Sequence, residues 1–415
     1  MRIKDIGNIN ARVLRENTPQ DYTFQYIDIS SVSSSGQISL SEPMRYNESP
    51  SRARRIVIKN DVIVSTVRTY LRAIAGIDWN AKDIIASTGF AVISPAKKYD
   101  PAYVKYLMTS NAVVDEICKE STGVSYPAIS SSRLSAIHIP VASLREQKNI
   151  ATYLDKQINS INERICLRER ELQTLIKLKQ SEINSVVTRG LNPAVPMKDS
   201  GIALVPRIPA NWEVVRLAQI GNFSASGIDK LIVDGETPVH IINYVDVYKN
   251  ETRELYNSEY MLVTAPGNKA KEHQVRVGDI IFTPSSETYD DIGIGAVVVE
   301  EIPNTAYSYH VLRFRPYVKL YLGFEKYMCN NFICTNYFSS HAAGTIRKTL
   351  SRNTFKNCPI LLPPYEEQVQ IADYLDDRLH NISSMVKNIN EQIAKLNLLK
   401  KSLINEVITG RRPIE

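Results

Sequence analysis

The chain has 415 residues, 43% hydrophobic and 23% charged, with a net charge of +6. That balance suits a globular protein of about two to four domains and excludes a disordered or collagen-like chain. No run of about 18 apolar residues is present to span a membrane. Five scattered cysteines (Cys118, Cys166, Cys329, Cys334, Cys358) form no CxxC pair, and the start MRIKDIGNIN lacks the apolar core of a secretory signal. A cytoplasmic protein without a disulfide framework is expected.

Residues 1–142 read as a mixed, strand-rich domain, with β-branched runs such as IVIKNDVIVSTV between polar clusters. Residues 143–190 read as one long helix. Ser143 and Glu146 make a capping box, and Leu154, Ile158, Ile161, Ile165, Leu172 and Leu175 form an apolar stripe broken at Arg168. Residues 191–210 form a linker within LNPAVPMKDSGIALVPRIPANW, whose prolines predict an extended connector. Residues 211–362 read as a second mixed domain, with IGAVVVEE as one of its strands. Residues 363–415 form a second long helix opened by Pro364, Glu366 and Glu367. Its apolar residues Leu375, Leu379, Ile382, Val386, Ile389, Ile393 and Leu396 alternate spacings of four and three, and Leu403 and Val407 resume the stripe after Lys400. A 3.5-residue period is a coiled-coil seam, and a helix of this length cannot bury such a seam alone.

The chain repeats itself. REQKNIATYLD (145–155) returns as EEQVQIADYLD (366–376) at an offset of 221 residues, and 16 of the 43 pairs from Glu146/Glu367 to Thr188/Thr409 are identical. Upstream, Pro95, Tyr106, Gly123 and Ser130 match Pro316, Tyr327, Gly344 and Ser351. With a drifting offset, VIKNDVIVST resembles VRVGDIIFTP and RIKDIGN resembles RLAQIGN. One unit of about 200 residues is written twice. The predicted fold is α+β: two globular mixed domains separated by two long antiparallel coiled-coil helices, as a pseudo-twofold internal repeat.

Catalytic motifs are scarce. LPPY (362–365) resembles the string by which amino-methyltransferases bind a flipped base, but Leu362 cannot accept a hydrogen bond from an amine. IGIG (292–295) is a lone GxG that reads as a turn, and no phosphate-binding GxxxxGK[ST] loop exists. His138 and His310 lie in apolar stretches and read as packed. No catalytic or metal-ligating residue is assigned, and the chain reads as a binding protein.

The mild net charge of +6 permits a nucleic-acid partner without requiring one. Residues 1–142 carry 17 basic and 13 acidic side chains, whereas residues 204–362 carry 16 of each. In the first domain the excess sits in SRARR (51–55) and VRTYLR (67–72). The second domain offers TPSSETYDD (283–291), AYSYHVLRFR (306–315) and GTIRKTLS (344–351). Arginine and lysine neutralise phosphates, and hydroxyls and carboxylates can accept from exocyclic base amines.

The chain resembles the specificity subunit of a type I restriction–modification system. The likeness is carried by CPILLPPYEEQVQIADYLD with KKSLINEVITG, by the weaker copy IHIPVASLREQKNIATYLD with INSVVTRGL, and by PANWEVVRL opening the second domain. NDVIVSTVRTYLRAIAG with IASTGFAVISP, and GDIIFTPSSETYDDIGIGAVVVEE with NTAYSYHVLRFRP, are similar to target-recognition domains. The resemblance implies two such domains, each reading one half of an interrupted site in double-stranded DNA. It implies helices that set the spacer and dock two modification subunits. The chain itself would be non-catalytic and cofactor-free, with S-adenosylmethionine on the modification subunits and ATP and magnesium on restriction subunits. The DNA-contact candidates are Arg68, Tyr70, Arg72, Ser87 and Thr88, with Arg52, Arg54 and Arg55 for phosphates, and Ser285, Ser286, Glu287, Tyr289, Tyr307, Tyr309, Arg347 and Lys348. The docking candidates are Glu146, Gln147, Tyr153, Leu154, Glu367, Gln368, Tyr374 and Leu375. The chain begins at RIKDIGN without the WEVVRL-like lead of its copy, so either a short first strand or an unusual start is expected. Alternatives are the specificity component of a type IIB-like enzyme and a DNA adenine methyltransferase.

Overall fold

The computed structural model describes residues Met1–Ile414. The chain divides into two compact units, one of residues 1–171 with 388–415 and the other of residues 172–387. Both boundaries fall inside the long helices, which run from Leu144 to Arg189 and from Tyr365 to Ile408. Each unit therefore includes one part of each long helix.

In the first unit, Gly7–Ile9, Phe90–Pro95, Val62–Ser65 and Ile74–Gly76 form a four-stranded antiparallel sheet in that spatial order. A second four-stranded sheet is ordered Met44–Arg45, Thr23–Ile27, Ile84–Ser87, Ala53–Ile56, with a parallel pair at its centre. The helices Pro101–Thr109 and Asn111–Lys119 cover the first sheet. The second unit repeats this plan. Gly221–Ser224, Leu312–Pro316, Ile280–Phe282, Gly295–Val298 and Glu254–Leu255 form its main sheet. Met261–Ala265, Thr237–Ile242 and Thr305–Tyr307 form the smaller one, and helices Leu322–Cys329 and Phe332–His341 stand where the helix pair of the first unit does.

The seam lies where the 3.5-residue period puts it. In the first unit Leu154, Ile158, Ile161 and Ile165 share a core with Leu403, Ile404, Val407 and Ile408. In the second, Leu175, Ile183, Val186 and Val187 share one with Leu375, Leu379, Ile382 and Val386. The beginning of each helix pairs with the end of the other, which is antiparallel pairing. Lys400, the interruption in the stripe, donates to Asn162 Oδ1 at 3.0 Å.

Equivalent side chains tie each domain to its helix. Gln147 accepts from the Asp100 amide and donates to Ala142 O, and Gln368 accepts from the Tyr321 amide and donates to Pro363 O. Tyr106 donates to Asp155 at 2.6 Å and Tyr327 to Asp376 at 2.5 Å. The far ends of the helices act crosswise. Asn184 accepts from the Phe332 amide, and Asn405 from the Ala112 amide. Each second domain helix is thus capped from the helix that ends the other repeat.

The linker is not an extended connector. Met197–Ile202 and Val205–Pro209 form an antiparallel hairpin, and Val205, Ile208 and Trp212 are buried in the core of the second unit. Pro193 and Pro196 lie outside the strands, Pro209 ends the second, and Pro206 sits at the register shift between Val205 and Arg207, where a missing amide donor is tolerated. The pairing at the start of the repeat is shorter in the first unit than in the second. Glu213–Arg216 pairs with Pro359–Leu362 in the second unit, while in the first the single bridge Arg2↔His138 stands at the equivalent position. His138 is exposed and His310 half-buried, so neither is packed as the apolar surroundings suggested.

Candidate nucleic-acid interface

In the first unit three segments meet along one edge. The Gly89 carbonyl accepts from Thr66 N and Oγ1 at 2.8 and 2.9 Å, the Thr66 carbonyl accepts from Ile129 N, and Arg68 N donates to Pro127 O at 2.7 Å. Thr88 N donates to Arg52 O at 2.8 Å, which brings Arg52 and Thr88 to the same edge. Arg68 and Arg72 have φ of +52° and +54° and bracket the short turn Thr69–Leu71. Left-handed backbone is costly for a residue with a side chain. Here it holds Tyr70 and Leu71 out into solvent, 55% and 42% exposed. The Arg68 guanidinium lies 4.4 Å from the Tyr126 ring centroid, a cation–π contact that fixes its direction while leaving its donors usable.

Not every candidate is available. Arg72 donates to Asn111 Oδ1 at 2.5 Å and Asp115 Oδ1 at 2.8 Å, so the chain already occupies its fork. Ser87 is fully buried, and its hydroxyl accepts from the Gly89 amide. It is corrected from a contact residue to a turn support. Arg54 lies over the Tyr46 ring. Arg55 is half-buried, burial lowers its pKa, and its Nε has no partner. Arg52 and Thr88 remain exposed.

The second unit gathers strings that lie far apart in sequence. Ser285–Ser286 pairs antiparallel with Lys348–Thr349. The Arg347 Nε donates to Ser285 Oγ at 3.1 Å, and its guanidinium lies 5.6 Å from the Tyr244 ring, whose hydroxyl donates to Ser285 O at 2.8 Å. Lys348 sits 4.4 Å from the Tyr289 ring and donates to the Gly344 and Thr345 carbonyls, so much of its hydrogen-bonding capacity staples its own loop. Asp291 is the hub. Ser286, Thr288 and Tyr248 all donate to it. Burial works to raise its pKa, but these hydrogen bonds outweigh it and hold the carboxyl below its ordinary value. Burial raises the pKa of Tyr244, against the charge of Arg347. Burial lowers that of His310, helped by the charges of Lys230 and Arg347. His310 also packs against the exposed ring of Tyr309.

Two candidates in this unit are corrected. Ser286 is buried with its hydroxyl committed to Asp291. Tyr307 is fully buried, against His273 and beneath Arg313. All three residues of its strand are buried, while Tyr309, two residues on and past the strand end, is exposed. Glu287, Tyr289, Tyr309 and Arg347 face outward, and Ser285 is half-buried.

The helix-start candidates fare similarly. Gln147, Leu154, Gln368 and Leu375 are buried in the chain's own cores, so their side chains do not present a docking surface. Glu367 accepts from Trp212 Nε1 at 2.6 Å and from Asn211. Glu146 is exposed and closes the capping box with Ser143, whose hydroxyl and amide lower its pKa. Tyr153 is half-buried against the core, and Tyr374 is exposed with its hydroxyl donating to Glu182 at 2.6 Å. The sequence reading missed Tyr126 and Tyr244. The repeat held the signal for the first, because Gly123 matching Gly344 puts Tyr126 opposite Arg347.

Among the described residues no helix is long and apolar enough to cross a membrane. The type I restriction modification DNA specificity domain matches residues 1–167 and again 209–395. The putative MjaX specificity subunit of Methanocaldococcus jannaschii is 23% identical over 386 residues, covering 86% of this chain and 80% of that one. The StySPI specificity subunit of Salmonella potsdam is 22% identical over 323 residues, covering 77% and 67%. A solved chain from work on complex assembly and conformational transition of the type I R-M system shares the fold. It superposes with a TM-score of 0.67 at 20% identity, covering 98% of this chain and 96% of that one. With the family's domain present twice over most of its length, the chain belongs to the type I restriction–modification DNA specificity family, as a specificity subunit.

Proposed function

We propose that each unit reads one half of a bipartite double-stranded DNA site and that the shared helices fix the unspecified gap between the halves. The observation that carries this reading is the repeat itself: one scaffold, twice, with two chemically different outward edges. The first edge presents Arg52, Arg68, Tyr70 and Thr88, and the second Ser285, Glu287, Tyr289, Tyr309 and Arg347. Arginine suits guanine edges and phosphates, and a carboxylate suits a cytosine amine. Two modification subunits carrying S-adenosylmethionine would supply the methylation, and restriction subunits using ATP and magnesium would supply cleavage. The exposed Glu146 and Tyr374 remain in the proposed docking surface, with Tyr153 at its margin. A cytoplasmic setting follows from that role.

Methylation sequencing of DNA from a host expressing this chain with its modification subunit tests the reading. The expected motif is two short defined blocks separated by a constant run of unspecified bases. A single contiguous motif, or a gap of variable length, overturns it.

A further inference from the structure

The same loop projects from both units. Thr122 and Ala128 exchange backbone hydrogen bonds, both at 2.9 Å, and Ala343 and Thr349 do so at 3.1 and 2.8 Å. Gly123 and Gly344 open these loops at φ of +113° and +114°. A Cβ at Gly344 would collide with the Arg347 carbonyl, so the tight path depends on glycine. Each loop ends in one aliphatic side chain standing free of the protein: Val124 is 102% exposed and Ile346 90%. Among the described residues these are the two most exposed large apolar side chains. The two are one position apart in the repeat register, at the same tip.

A single exposed aliphatic residue needs no explanation. Two at equivalent tips, each next to a guanidinium braced on an aromatic ring, are a different matter. Arg68 is held over Tyr126 beside Val124, and Arg347 over Tyr244 beside Ile346. At the first tip the exposed neighbours Tyr70, Tyr126 and Leu71 include two aromatic rings, and Arg68 lies against the Tyr126 ring, so the surroundings are mixed aromatic and cationic. A narrow loop carrying one aliphatic group beside cations fits a groove whose walls are anionic and whose floor carries apolar groups.

We propose that Val124 and Ile346 enter the DNA groove and make the apolar base contact of each half-site, with a thymine methyl as the matching chemistry, while Arg68 and Arg347 hold the adjacent base edge or phosphate. The proposal rests on the reading of this chain as a DNA-recognition subunit.

The test uses the full chain assembled with its modification subunits, and duplexes built on the motif that methylation sequencing gives for the wild type. Val124→Ser and Ile346→Ser are compared with the wild type on that motif, on duplexes with each thymine replaced by uracil, and on unrelated DNA. Each variant is expected to lose about ten-fold in affinity for the motif, with unrelated DNA unaffected. A thymine-to-uracil change in one half-site should weaken the wild type and leave the matching variant indifferent, with the two variants assigned to different halves. Unchanged affinity in both variants, or equal losses on motif and unrelated DNA, overturns the proposal. So does failed assembly with intact DNA preference, which would make the tips a protein contact. Failure of the wild-type assembly to prefer any motif would instead overturn the reading on which the proposal rests.

Discussion

The two units place different side chains on one skeleton. In the second, Phe223, Phe282, Phe314, Phe338 and Phe355 form an aromatic cluster, with ring centroids such as Phe338 and Phe355 4.8 Å apart. At the repeat-equivalent positions the first unit has Ile9, Val64, Ile93, Ile117 and Leu134. The strand register is the same. Phe223 sits opposite Phe314, and Ile9 opposite Ile93. The fold is therefore specified by which positions face inward, and core volume is free to change if neighbours change with it. What the repeat keeps is polar. Asp61 and Asp279 are both buried, each accepts from the amide three residues earlier, and each is paired at 2.6 Å with an arginine: Arg12 in one unit and Arg315 in the other.

The largest expected effect tests that kept skeleton. Asp61→Ala and Asp279→Ala should each destabilise their own unit by about 4 kcal/mol, because each strands a part-buried guanidinium and an unpaired amide. Hydrogen exchange followed separately over the two units reads this out. Similar losses in both sharpen the equivalence, and a large loss in only one breaks it.

The next effect comes from a polar difference. Glu325 stands where the first unit has Val104, and both positions are buried. Burial pushes the Glu325 carboxyl up to about 8, the charge of Asp279 acts in the same direction, and its Oε2 has no partner. Between pH 4.5 and 8 the folded chain holds a proton that the unfolded chain releases, so this group's contribution to stability falls as pH rises across that window. Glu325→Gln removes the titration at nearly constant volume. It should stabilise the second unit by about 3 kcal/mol at pH 8.5 and by little at pH 4.5. Melting temperatures at the two pH values check it, and a gain independent of pH would show that Glu325 is held charged.

At the recognition edges, Arg68→Ala should weaken motif binding by about 2 kcal/mol and unrelated DNA by less, with Arg347→Ala doing the same for the other half-site. Competition binding at fixed salt measures this. Equal losses on both DNAs would make either arginine a phosphate contact only.

Much of this arrangement was legible in the sequence, and for identifiable reasons. The seam from Leu375 to Val407 was readable because coiled-coil packing imposes a period. The Ser143–Glu146 cap was readable because its spacing is local. The strings 283–291 and 344–351 were each recognisable, but their pairing depends on tertiary structure that no local pattern records. The burial of Ser286 and Tyr307 was hidden for the same reason. A serine beside Glu287 looks available until Asp291 is seen to claim it. Gln147 and Gln368 were misread because the resemblance implies docking at the helix starts as a whole, whereas each of these side chains is an internal strut. The prolines of residues 191–212 suggested extension, although the edge strands of a hairpin tolerate them equally.

The smallest expected effect concerns Arg72, whose fork is held by Asn111 and the exposed carboxylate of Asp115. At the second edge the cation Arg347 is braced on a ring and a hydroxyl rather than on an acid. An exposed ion pair of this kind contributes under about 1 kcal/mol to folding, so Asp115→Asn should leave stability nearly unchanged. It should strengthen binding to unrelated DNA by about two- to three-fold at low salt, because one carboxylate is removed and one guanidinium freed at the edge of a polyanion site. The gain should vanish in the double variant Asp115→Asn with Arg72→Ala. A gain that persists in the double variant would come from the lost negative charge alone, and Arg72 would then be a structural side chain throughout.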